Sequence, residues 1–121
     1  MVVATTVRMP KWFVRWVSRR YVAGASLDEA VAVMKRLTHE GACFTIDVLG
    51  EEISSMDEAQ FFLEEYIRVM QAIKAHGFDA NISIKPTAFG LLIDPDLGFQ
   101  NIRKLVEMAA NEDMFVRLDM E

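Results

Sequence analysis

The sequence has few of the residues that cross-link or break a chain. It contains one cysteine, three prolines and six glycines in 121 residues. A single cysteine excludes an internal disulfide, and the place of Cys43 in an apolar run predicts a small buried side chain rather than a catalytic thiol. A chain without disulfides suits a reducing compartment, and residues 1–6 lack the layout of a secretory signal. These absences indicate the cytoplasm.

Long apolar runs, histidines and excess positive charge are also scarce. No apolar run approaches the roughly 18 residues of a membrane span. The two histidines, His39 and His76, lie near predicted helix ends, where they would interact with the end of the helix dipole. No cluster has metal-ligand spacing, so no metal site is predicted. The net charge of −5 argues against nucleic acid as the main partner.

The positive charge that is present concentrates near the start of the chain. Residues 1–24 are predicted to include a basic amphipathic helix, in which aromatic and apolar side chains alternate with bases: Arg8, Lys11, Trp12, Phe13, Arg15, Trp16, Val17, Arg19 and Arg20. This pattern suits a membrane surface or an anionic partner, but we favour a helix that packs on its own protein. Liposome binding unaffected by charge reversal at Arg15 and Arg19 would contradict membrane contact.

Three later helices are marked by capping signals. Their starts are predicted at Ser26 with Glu29, at Ser55 with Glu58, and at Asp94 with Pro95. Gly41 and Gly77 are predicted to end the first two. The predicted buried stripes of the last two helices are Ala59, Phe62, Leu63, Tyr66, Met70 and Ile73, then Ile102, Leu105, Val106 and Ala109.

Short strand-like runs alternate with these helices, at residues 43–49, 80–86 and 114–120. Alternation of strands and helices predicts an α/β fold with about three parallel strands. Each run has one apolar face and one polar face, which suits a barrel with a polar interior better than an open sheet covered on both sides. We therefore expect residues 25–121 to form part of a (βα)8 TIM-like barrel. A complete barrel needs about 250 residues, so the chain is expected to be part of a longer sequence.

The polar faces carry charged residues near the predicted strand ends. Lys85 ends the second strand, and Asp47 lies near the end of the first. Arg117 and Asp119 lie on one face of the third. Because the carboxyl ends of barrel strands form the active site, Lys85 and Asp119 are the leading candidates for chemistry. An ion pair between them that only stabilises the fold is the alternative.

These residues belong to an ordered series that resembles the proline dehydrogenase family. The series comprises Arg20-Tyr21-Val22-Ala23-Gly24, Ile46-Asp47-Val48-Leu49-Gly50-Glu51, Asn81-Ile82-Ser83-Ile84-Lys85-Pro86-Thr87 and Phe115-Val116-Arg117-Leu118-Asp119-Met120-Glu121. The resemblance covers nearly the whole chain from Arg19 onward. The family often has His where this chain has Val48, so no role is transferred to that side chain.

The resemblance implies a function and a set of roles. It implies a distorted eight-stranded barrel that uses FAD to oxidise L-proline to 1-pyrroline-5-carboxylate, with electrons passing to a quinone at the inner face of the membrane. It assigns Lys85 to the proline carboxylate, Asp119 to the active-site acid and Met120 to a flavin contact. Asp47 and Arg117 are expected to support them. The family's later strands, with most flavin contacts and an arginine pair that binds substrate, have no counterpart here, so we expect the 121-residue chain alone to be inactive.

Two other functions remain open on the sequence. A barrel lysine such as Lys85 can form a Schiff base when desolvated, as in an aldolase-like enzyme. Alternatively the chain is a non-catalytic β/α fragment that associates with itself through exposed sheet edges. A covalent adduct trapped at Lys85 by borohydride would favour the aldolase-like enzyme, and a flavin absorbance band would contradict the non-catalytic fragment.

Overall fold

A computed structural model of the chain describes residues 26–50 and 53–120. The chain divides into two compact units after Leu37, so the first helix, which lies almost wholly in the first unit, is described by itself. The basic segment predicted for residues 1–24 lies outside the described residues. In chain order the elements are α1 (Leu27–Thr38), β1 (Phe44–Asp47), α2 (Met56–His76), β2 (Ala80–Ile84), a 3₁₀ helix (Pro86–Phe89), α3 (Pro95–Asn111) and β3 (Val116–Leu118).

All three helices begin where their capping signals predict. The Ser26 hydroxyl accepts a hydrogen bond from the Glu29 amide, and the Ser55 hydroxyl accepts one from the Glu58 amide, each at 3.3 Å. The Asp94 carboxylate accepts from the Leu97 amide at 3.1 Å, with Pro95 in the first turn. Each side chain satisfies an amide that the helix itself leaves unpaired.

The two glycines behave differently at the helix ends. Gly77 takes a left-handed conformation directly after α2, and its amide donates to the Ile73 and Lys74 carbonyls, as predicted. Gly41 also has a positive φ of 82°, but α1 already ends at Thr38, whose carbonyl accepts from the Gly41 amide. Gly41 therefore closes the turn after α1 rather than the helix itself.

The three strands form one parallel sheet in the order β1-β2-β3. This confirms the predicted α/β class and the parallel pairing of consecutive strands. The strands are shorter than predicted, at four, five and three residues. The outer residues of the predicted runs continue the alternation but lie beyond the paired segment, because alternation alone does not mark where the hydrogen-bonded ladder ends.

The core lies among α2, α3, β2 and the 3₁₀ helix. Its most buried large side chains are Leu63, Tyr66, Ile82, Ile84, Phe89 and Leu105. The stripe predicted for α2 is buried apart from Phe62, which is half-buried, while Val69 joins it. On α3, Leu105 and Ala109 are buried as predicted, whereas Val106 is 39% exposed and Gly98 is buried.

Cys43 corrects one prediction. It is exposed rather than buried. From Cys43, directly before β1, to Asp47 at its end, exposed residues with odd numbers alternate with the half-buried Phe44 and Ile46. The apolar run that contains Cys43 obscured this period of two, which assigns the cysteine to the solvated face.

Candidate active site

Charged residues meet on one face of the sheet near the carboxyl ends of its strands. The register pairs Asp47 with Ser83 and Ser83 with Arg117, so these three residues form a row across the sheet. Two residues further along, Lys85 follows β2 and Asp119 follows β3. Because side chains alternate between faces with a period of two, Lys85 and Asp119 belong to the same face as the row.

Strand pairing continues to this second row. The last register pair is Ile84 with Leu118, and the Asp119 amide donates to the Ile84 carbonyl at 2.8 Å. Lys85 and Asp119 therefore occupy neighbouring positions, one step beyond the last pair. Both side chains are half-buried, whereas Asp47 and Arg117 are exposed and Met120 is 84% exposed.

Arg117 and Asp119 do not pair with each other. Ion pairs on the helices and at their ends join Arg68 to Glu65, Lys74 to Glu112 and Arg103 to Glu107. Asp119 keeps a carboxylate that is not neutralised by this arginine.

The backbone of Lys85 is fixed by the turn that follows it. Lys85 precedes the 3₁₀ helix in an extended conformation, and its carbonyl accepts from the Ala88 amide at 3.0 Å. Gly90, with φ of 90°, ends this helix, and its amide donates to the Thr87 carbonyl. The Asn101 side chain of α3 donates to the Phe89 carbonyl at 3.1 Å. These hydrogen bonds therefore fix the backbone from which the Lys85 side chain extends.

Tyr66 reaches the same end of the sheet from α2. Its hydroxyl lies 2.9 Å from the Asp47 carboxylate and 2.8 Å from the Ser83 carbonyl, and it accepts from the Val48 amide at 3.1 Å. Burial raises the pKa of Tyr66 well above its ordinary value, and the Asp47 charge and hydrogen bond raise it further, while the bond from Val48 acts the other way. The side chain is therefore a neutral hydrogen-bond donor at physiological pH.

The sequence placed Tyr66 in the buried stripe but did not reveal this contact. The available signal was chemical, since a tyrosine in a buried stripe needs a partner for its hydroxyl. The histidines add nothing to this group: His39 is exposed after α1, and His76 stacks on Phe78 in the last turn of α2. Among the residues that the structure describes, no group of three His, Cys, Asp or Glu side chains could hold a metal ion.

The arrangement suits the binding of a small charged molecule. Lys85 offers a cation between two strands that each carry a carboxylate on the same face, Asp47 on one side and Asp119 on the other. A cation and an acid at neighbouring positions can contact the opposite charges of one zwitterion. No helix within the described residues is both long and apolar enough to cross a membrane.

Comparison with known proteins identifies the family of this sequence. A family model described as proline dehydrogenase matches residues 30–121. The chain is 39% identical to Proline dehydrogenase 1 of Bacillus subtilis subsp. natto over 104 residues, which cover 86% of this chain and 34% of that protein. It is 33% identical to Proline dehydrogenase of Deinococcus radiodurans over 107 residues, or 86% and 34% of the two chains. The chain therefore spans about a third of the length of these relatives.

Proposed function

This chain belongs to the proline dehydrogenase family, a family of oxidoreductases, and we propose that it supplies part of a site that oxidises L-proline to 1-pyrroline-5-carboxylate with FAD. The observation that supports the proposal most directly is the register of β2 and β3, which makes Lys85 and Asp119 neighbours on the polar face. The chain covers 34% of the first relative, so other segments of such an enzyme would complete the site.

We also propose that the three strands are consecutive strands of a (βα)8 barrel with its site at their carboxyl ends. Their parallel pairing in chain order, with a helix between successive strands, is the arrangement that such a barrel repeats. The polar face supports a barrel interior that holds a ligand. A fully apolar face would instead suit a packed interior.

Lys85 binds the proline carboxylate as a fixed cation in this proposal. The strands on either side of β2 carry Asp47 and Asp119 on the same face. A lysine that holds a carboxylate as a fixed cation does not at the same time attack a carbonyl, so this role and the Schiff-base alternative exclude each other.

Asp119 serves the other end of the substrate. Its carboxylate accepts a hydrogen bond from the proline nitrogen, while Lys85 holds the proline carboxylate. Asp47 and Arg117 support the pair by placing one further charge of each sign in the adjacent row. Opposite contacts at the two ends of a zwitterion fix its orientation, and orientation is what the protein must provide when a cofactor carries the redox chemistry.

The residues after β3 fit a flavin. Met120 follows Asp119 directly, and its polarisable apolar side chain is 84% exposed. Such a side chain suits contact with a planar ring system, so we assign Met120 to the FAD. A flavin held there would supply the acceptor for the hydride that leaves proline. A quinone as the next electron acceptor, at the inner face of a membrane, completes the proposal and rests on the family resemblance.

The proposal is tested in a chimera in which residues 30–121 replace the matching segment of Proline dehydrogenase 1. We expect yellow protein that reduces a dye with proline. Lys85→Met should lower kcat/KM for proline by about 100-fold or more, mainly through KM, because it leaves the substrate carboxylate without its cation. Lys104→Met, on the exposed face of α3, is the matched control and should leave kcat/KM unchanged.

Two results would contradict these assignments. A yellow Lys85→Met chimera that oxidises proline at the unsubstituted rate would exclude the role of Lys85. A borohydride-trapped adduct between Lys85 and a carbonyl substrate would favour the aldolase-like alternative.

The 121-residue chain alone is expected not to oxidise proline, because the family's later strands supply most of the flavin contacts. Purified chain is mixed with FAD, proline and a redox dye, with an intact relative as positive control. Dye reduction that depends on proline would contradict this expectation.

A further inference from the structure

A buried hydroxyl joins the carboxyl ends of β1 and β2. Tyr66 is 1% exposed, and its ring packs against Phe89 with a centroid distance of 5.6 Å. Both rings belong to the core, so the position of the hydroxyl is fixed by packing on α2 and the 3₁₀ helix rather than by the sheet. The ends of β1 and β2 therefore bond to a hydroxyl whose position is fixed by the core.

The three partners of this hydroxyl divide between two strands and two kinds of group. Val48, which follows β1, donates its amide to the hydroxyl oxygen. The single hydroxyl proton is shared between two acceptors, the Ser83 carbonyl of β2 at 2.8 Å and, as the third partner, the Asp47 carboxylate at 2.9 Å. The first two contacts join backbone to backbone through the phenol, and the third fixes a side chain on the charged face.

Orientation of Asp47 depends on this contact. Asp47 is exposed, and an exposed carboxylate on a strand end otherwise samples several side-chain conformations. A neutral donor at 2.9 Å makes a charge-assisted hydrogen bond, which is stronger than one between two neutral groups. The donor is attached to a rigid ring with 1% exposure, so the carboxylate is held without a second charge that would neutralise it.

We propose that Tyr66 is a positioning residue. Its hydroxyl orients the Asp47 carboxylate on the polar face of the sheet and holds the carboxyl ends of β1 and β2 together. It does not touch substrate. Its effect reaches the bound molecule through Asp47, which lies on the strand beside the one that carries Lys85. The catalytic part of this inference rests on the proposed function, whereas the structural part does not.

The structural part is tested by NMR hydrogen exchange on the 121-residue chain. Tyr66→Phe removes the hydroxyl and keeps the ring. The Val48 amide should then exchange at least about tenfold faster, because it loses its acceptor. The Phe44 amide bonds the Asp79 carbonyl at the opposite end of β1 and is the internal control, which should keep its rate. Equal acceleration of both amides, or of neither, would overturn the role of the hydroxyl at the strand ends.

The catalytic part is tested by a double-mutant cycle in the chimera. Tyr66→Phe should lower kcat/KM for proline by about tenfold, as expected for the loss of one hydrogen bond to a charged group. In an Asp47→Ala background the same substitution should change kcat/KM by less than about twofold, because its partner is already gone. Val69→Ala, a buried substitution on α2 without a hydroxyl, controls for general destabilisation and should have equal effects in both backgrounds.

The outcomes separate this inference from the proposed function. A tenfold loss from Tyr66→Phe that persists in the Asp47→Ala background would overturn positioning through Asp47. An unsubstituted chimera that binds flavin but does not oxidise proline would overturn the proposed function, and with it the catalytic part of this inference. The exchange rate of Val48 would then still decide whether Tyr66 holds the strand ends.

Discussion

Ionisation of Tyr66 should lower the stability of the fold at alkaline pH. Burial is the main cause that raises its pKa above the ordinary value of 10.0. The hydrogen bond from Val48 opposes this, and the charge and hydrogen bond of Asp47 raise the pKa further. The unfolded chain therefore ionises this tyrosine at a lower pH than the folded chain does. The contribution of the neutral phenol is complete below about pH 10 and is lost progressively as the pH rises above it.

Tyr66→Phe should remove this dependence. Between pH 10 and pH 12 the free energy of unfolding of the natural chain should fall more steeply than that of Tyr66→Phe, by up to about 1.4 kcal/mol per pH unit. Urea unfolding at pH 8, 10, 11 and 12 measures the two slopes. Tyr21 is common to both proteins and cancels in the comparison. Identical slopes would show that Tyr66 ionises as readily in the fold as in the unfolded chain.

At the scale of single residues, the sequence predicted which face of the sheet a side chain lies on better than it predicted which side chains bond to each other. Alternation along the strands predicted one face for Asp47, Lys85 and Asp119, and the register places Asp47 in one row with Ser83 and Arg117. The same alternation assigns Cys43 to the exposed side, but its apolar neighbours conceal this period of two. The contact between Tyr66 and Asp47 joins residues 19 apart in sequence, and no local pattern specifies where a buried hydroxyl finds its partner.

Helix α3 packs unusually closely on the turn that precedes it. A Cβ atom at Gly98 would lie 2.6 Å from the Leu91 nitrogen and 2.7 Å from the Leu91 Cα. These are backbone atoms, which cannot move aside as a flexible side chain can. Gly98 is therefore required by the approach of the helix to the turn, although glycine is a poor residue for a helix interior.

Gly98→Ala should destabilise the chain by about 1–3 kcal/mol, because the added methyl group overpacks this contact. The direction is informative, since alanine in an unobstructed helix would raise stability by about 1 kcal/mol. Urea unfolding followed by circular dichroism gives the difference. Gln100→Ala, at an exposed position of the same helix, is the control and should be neutral or slightly stabilising. A stabilised Gly98→Ala would mean that α3 can shift away from the turn.

The starts of helices were the most predictable boundaries. A capping side chain acts within three residues, so Ser26, Ser55 and Asp94 reveal their roles locally. Strand ends were less predictable, because they depend on the length of the neighbouring strand. The 3₁₀ helix after Lys85 was not predicted, since a turn of four residues has no periodicity to detect.

The part of the chain that the structure describes exposes much apolar surface. Ten large apolar side chains of the described residues are exposed: Leu49, Phe61, Leu92, Ile93, Leu97, Phe99, Val106, Phe115, Leu118 and Met120. The three-stranded sheet also has β1 and β3 at its edges. Unpaired strand edges and apolar surface both promote association. Parallel strand order was predictable from connection rules, whereas the register and the identity of the exposed apolar residues were not.

The isolated chain should therefore associate with itself. Sedimentation velocity over a hundredfold range of concentration should show a rising sedimentation coefficient. Phe99→Lys should weaken the association, because it places a charge on an apolar surface that is 59% exposed. Gln100→Lys adds the same charge at the next, polar position and should have the smaller effect. A monomer at every concentration would contradict this prediction.

The turn between Lys85 and α3 constrains insertions and deletions more than substitutions. Its carbonyls at Lys85, Thr87 and Gly90 accept amides three or four residues ahead, and the last of these amides belongs to Asp94, which caps α3. One inserted residue would shift this series of bonds and move the helix cap away from the strand. Substitution of Leu92, which is 81% exposed, leaves all of them intact. Evolution can therefore change the identity of residues in this segment more freely than their number.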